Sequence, residues 1–76
     1  MNKGDKRNLG RIRAALRQLK NNNSGSEIYE QSSLEEYVNG KGIHVNNMCS
    51  VMNEFQKRGF VTRYGSENRY SLNKKL

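Results

Sequence analysis

The chain has 76 residues, with 14 Lys or Arg against 7 Asp or Glu, a formal charge of +7, 33% hydrophobic residues, one Cys, one His and no Pro or Trp. That length holds one domain, and its core is too small to support a catalytic pocket as well, so no enzyme, cofactor or small-molecule ligand is expected. Cys49 alone excludes an internal disulfide, and one Cys with one His leaves a zinc ligand set short unless carboxylates complete it. No apolar run reaches the ~20 residues of a membrane span, nor is there the apolar core of a signal peptide, so a soluble, reducing, cytoplasmic setting without membrane contact is the expectation.

Residues 1–7, MNKGDKR, are polar and aperiodic and read as a mobile basic arm. From Asn8 the spacing turns helical: Leu9, Ile12, Leu16 and Leu19, with Ala15 beside them, make one apolar stripe. The run Asn21–Ser26 is made of turn formers and stops this helix. Glu27-Ile28-Tyr29-Glu30 is a short extended segment that could pair as a strand. Ser33 and Glu36 have capping-box spacing, which predicts a second helix with Leu34, Tyr37 and Val38 on its apolar face. Gly40 and Gly42 end it.

A third helix follows. Its cap is His44 or Asn46, and Ile43 and Met48 are placed to staple its start. Met48, Val51, Met52 and Phe55 form its apolar face, and it runs through Lys57-Arg58 to a stop at Gly59. Residues 60–64 and 69–73 are strands about the turn Gly65-Ser66-Glu67-Asn68. Phe60, Val61, Tyr70 and Leu72 give this hairpin an apolar face to lay on the helices. Lys74-Lys75-Leu76 reads as a frayed basic tail. Charge is segregated along the chain. Residues 1–20 hold seven cations against Asp5, residues 21–54 hold five glutamates against Lys41, and residues 55–76 hold six cations against Glu67. A basic chain of this size points to a polyanionic partner.

The order of these elements over residues 8–73 resembles a winged helix-turn-helix domain, an α+β fold of three helices with a C-terminal β-hairpin wing. The features that carry the resemblance are the leucine-striped first helix, LEEYVNGKGIHVNNM as second helix, turn and start of a recognition helix, FQKRGFV as the junction into the wing, and TRYGSENRYSL as the wing. The central turn, with both Gly40 and Gly42, is longer than in the most compact examples.

The resemblance implies a small, non-enzymatic, sequence-specific regulator that binds double-stranded DNA, with its third helix in the major groove. The residues it leaves outward there are His44, Val45, Asn46, Asn47, Cys49, Ser50 and Asn53. Asn can pair with adenine, Ser and His can reach base edges or phosphates, and Val45 could touch a thymine methyl. That face has no cation before Lys57, so phosphate contacts fall to Lys41, Lys57, Arg63 and Arg69, with Arg58, Lys74, Lys75 and the arm as further candidates. An interface this small implies a homodimer or cooperative neighbours. Stand-alone regulators of this kind are frequent in viruses and plasmids. The alternative is a winged-helix module that binds a protein, which the uncharged third helix would also suit. RNA binding has little support, with no stacking platform beyond Tyr64 and Tyr70.

Overall fold

The computed structural model describes residues 1–23 and 27–76. Helix α1 spans Lys3–Asn22, strand β1 Ile28–Glu30, helix α2 Gln31–Gly40, helix α3 Met48–Lys57, strand β2 Val61–Tyr64 and strand β3 Arg69–Leu72. The fold is α+β, with three helices and one antiparallel sheet in the order β1-β3-β2. The segment at Ile28–Glu30 does pair, as an edge strand on β3, with Tyr29 opposite Tyr70. Among the described residues no helix is long and apolar enough to cross a membrane.

Helix α1 begins at Lys3, inside the stretch read as an arm. Asn2 is its N-cap, and its side chain accepts from the Gly4 and Asp5 N–H groups at 2.8 and 3.4 Å. That satisfies two of the donors every helix start leaves unpaired. Ile12, Ala15 and Leu16 are buried along the predicted stripe, with Leu9 and Leu19 packed at its edge. The helix runs to Asn22 with Asn23 as C-cap; the rest of the predicted stop, Ser24 to Ser26, lies outside the described residues.

Helix α2 also starts early, at Gln31, directly off strand β1. The capping box at Ser33 and Glu36 does not form, and Glu30 stands at the N-cap without a side-chain bond. The reason is tertiary: the Gln31 N–H donates to the Asn68 carbonyl at 2.8 Å, so the hairpin turn supplies the acceptor a cap would have given. Leu34 and Val38 are buried. The helix ends through Lys41, followed by Gly42 at φ +80°.

Helix α3 ends in a Schellman motif. The Phe60 N–H donates to the Phe55 carbonyl at 2.9 Å, and the Gly59 N–H to the Gln56 carbonyl at 3.1 Å. Gly59 sits at φ +77°, which a side chain would strain. The apolar contact that accompanies this motif is Phe55 against Phe60, ring centroids 5.7 Å apart. Met48, Val51, Met52 and Phe55 are buried as predicted, together with Phe60, Val61 and Tyr70 from the hairpin.

The tail is docked, not frayed. Leu76 is buried, the guanidinium of Arg17 donates to its main-chain oxygen at 2.8 Å, and Arg13 donates to the Lys75 carbonyl at 3.3 Å while lying 4.0 Å over the Phe60 ring. Two arginines of the first helix therefore have structural work. Phe55→Ala should cost about 3–5 kcal/mol through the cavity it leaves at the α3–hairpin junction. Urea unfolding measures this, and a loss under about 0.5 kcal/mol would contradict the packing.

Candidate nucleic-acid interface

Burying Met48, Val51, Met52 and Phe55 turns the opposite side of α3 to solvent. Cys49, Asn53, Gln56 and Lys57 are exposed there, and Ser50 is half-buried. Asn53, Gln56 and Lys57 line one open depression with Arg63 of β2. The depression thus holds two amides and two cations and no acid. On the opposite flank of α3, Glu54 is ion-paired with Arg58 at 2.9 Å.

Strand alternation places Arg63 on the same side of the sheet as Val61, Tyr70 and Leu72, but beyond the core, where it reaches toward α3. Its guanidinium donates to Asn68 Oδ1 at 3.1 Å. Burial pushes the Tyr70 phenol up, and the nearby Arg63 charge pulls it part of the way back. Its neutral hydroxyl donates to Gln31 Oε1 at 3.5 Å.

Arg69 lies on the other face of the sheet. It pairs with Glu67 at 3.0 Å and lines a separate depression with Ile28, Glu30 and Tyr64. Of the two hairpin arginines, predicted as a pair, only Arg63 therefore shares a surface with α3. Lys41 is also elsewhere. Its ammonium is 5.3 Å from the Tyr37 ring centre, and it lines a groove with Arg11, Ala14 and Gln18 between α1 and the turn after α2.

Residues 44–47 differ most from the sequence expectation, because the helix starts only at Met48. Ile43 and Val45 alternate inward, and Val45 is 5% exposed, so its methyls are not available to a thymine. The Asn46 amide is spent within the protein: Nδ2 donates to Asp5 Oδ1 and Asn2 Oδ1 at 3.3 and 3.2 Å, and Oδ1 accepts from the His44 ring at 3.0 Å. Asn47 is the N-cap of α3, with Oδ1 accepting from the Ser50 N–H at 3.2 Å. His44 is exposed but tethered by that ring contact and by the Asn8 amide on its carbonyl.

Of the predicted interface residues, Ser50, Asn53, Lys57 and Arg63 remain on or beside the outward side of α3. Gln56 belongs with them and was missed, although its spacing of three from Asn53 was legible. Asp5 was also missed, since its partners are remote in sequence and no local pattern marks it. Among the described residues no cluster of His, Cys, Asp or Glu could hold a metal ion, and Cys49 is a free, exposed thiol.

Comparison with family models, curated proteins and solved structures returns no match to the chain.

The Asn47 cap contributes measurably to stability. Asn47→Ala should lose about 1 kcal/mol of stability, whereas Asn47→Asp, an equally good N-cap, should lose little. Thermal or urea unfolding checks this, and equal losses would mean the side chain is not capping.

Proposed function

We propose that the protein is a small winged helix-turn-helix regulator of double-stranded DNA, acting by occupancy of its site. On this reading α2, the turn and α3 are the helix-turn-helix, and β2 and β3 are the wing. The observation that carries it is the shared depression of Asn53, Gln56, Lys57 and Arg63. Asn and Gln are the side chains that pair with the two major-groove groups of adenine, and Lys and Arg take phosphate oxygens. The depression therefore combines base-reading amides with cations in one place on two elements. The net charge of +7 supports the same partner. So small an interface calls for a second copy or a cooperative neighbour at the site.

The second reading, a protein-binding module, draws on a different surface. Ile28 and Tyr64 are 53% and 45% exposed on the outer face of the sheet, away from α3.

Titration of a random-sequence duplex between 50 and 200 mM salt separates the two. With about half a dozen phosphate contacts, affinity should fall ~10³-fold over that range. Arg63→Ala should reduce the salt slope by about 0.9, while Arg69→Ala, already neutralised by Glu67 on the far face, should leave it unchanged. No binding even at ~10⁻⁴ M would overturn the DNA reading and favour the protein module.

A further inference from the structure

The basic first turn of α1 is held beside the start of α3 by one buried carboxylate. Asp5 is 0% exposed. Its oxygens accept from the backbone N–H groups of Asn46 and Asn47 at 2.8 and 2.9 Å, in addition to the Asn46 amide. Around it, Asn2 accepts from Asn46 Nδ2, and Asn8 donates to the His44 carbonyl. A Cβ at Gly4 would stand 3.2 Å from Asn46 Nδ2, so the missing side chain lets the two segments meet closely. The only acid in the first 20 residues is thereby withdrawn from the surface. Lys3 and Lys6, on either side of it, stay exposed.

Lys6 shares a depression with Leu9 of α1, with Glu54 of α3 and with Arg58 at the α3 C-cap. Glu54 is already paired to Arg58, and neither Lys3 nor Lys6 has an acidic partner among the described residues. Lys3 is one helical turn from Lys6, close enough for the two to act together. Helix α3 is thus flanked by Arg63 on its hairpin side and by Lys6 on its α1 side.

We propose that the first turn of α1 is a second phosphate clamp: Lys6, with Lys3, holds the duplex backbone on the far side of α3 from Arg63, and Asp5 is the positioning residue that sets the turn in place. This rests on the DNA-binding reading above and adds to it a second set of contacts. A major groove about 12 Å wide is filled by a helix of about 10–12 Å diameter, so cations on the two flanks of that helix meet the two bordering backbones. Contacts on both sides fix how the helix lies in the groove, and so how Asn53 and Gln56 meet base edges.

The test is the salt slope on a random-sequence duplex for the wild type, Lys3→Ala/Lys6→Ala, Arg63→Ala and their combination. The lysine variant should lower the slope by about 1.8 and Arg63→Ala by about 0.9, adding in the combination. Asp5→Ala, which keeps both lysines, should lower the slope as well, and should lower it no further when added to the lysine variant. A purely structural role would not produce that non-additivity. Thermal unfolding monitors folding throughout, and should Asp5→Ala fail to fold, the exposed lysines decide the question alone. An unchanged slope in the lysine variant of a chain that binds duplex overturns the clamp and leaves the DNA reading standing. A wild type that leaves the duplex free overturns both.

Discussion

The contact between Phe55 and Phe60 governs where the candidate interface lies. It packs across the Schellman motif that ends α3 at Gly59, and so holds the direction in which the hairpin departs. Because Phe55 is fixed inward, Asn53, Gln56 and Lys57 are fixed outward by helical geometry. Because Val61 follows Phe60 into the core, strand alternation returns Arg63 to the same side, next to α3. Helix face and hairpin cation come together through one apolar junction, with Arg13 stacked on the outer side of Phe60 and bonded to the docked tail.

Electrostatics then sort the remaining charges. The molecule has an excess of cations, but several are occupied. Arg58 and Arg69 are paired with Glu54 and Glu67, and Arg13 and Arg17 donate to the tail backbone. Exposed ion pairs of this kind add little stability, but they neutralise the arginine locally. What is left near α3 is a smaller set, Lys57 and Arg63 on one side, Lys6 on the other and Lys75 beside Gly59 at the helix end. The buried Asp5 serves this distribution by tying α1 to the start of α3 through two backbone N–H groups.

The elements read most directly from the sequence were those with local causes. The apolar spacing of Met48, Val51, Met52 and Phe55, the Gly59 stop and the turn at Gly65–Asn68 each depend on residues within a few positions. The starts of the helices were misread where a distant partner decides them. Asp5 looks like part of a polar arm until residues 41 and 42 positions away present their N–H groups to it. Gln31 begins α2 because Asn68 accepts from it across the sheet, so the more regular capping box at Ser33 is bypassed. Helix α3 starts three residues later than a His44 cap implies and one later than an Asn46 cap: Val45 turns into the core and Asn47 is the cap. Arg69 alternates away from Tyr70 and Leu72 in the sequence itself, whereas Phe60 and Val61 are both apolar and leave the side of Arg63 open until its pairing with Tyr70 is known.

The outward placement of α3 beside Arg63 is tested most directly by titrating a DNA duplex into isotope-labelled protein and following its amide resonances. The side-chain amides of Asn53 and Gln56, the Arg63 guanidinium and the backbone of Met48–Lys57 should shift together, while Ile28, Tyr64 and Arg69 on the outer sheet face stay still. Shifts confined to that outer face, with the α3 amides unmoved, would contradict it.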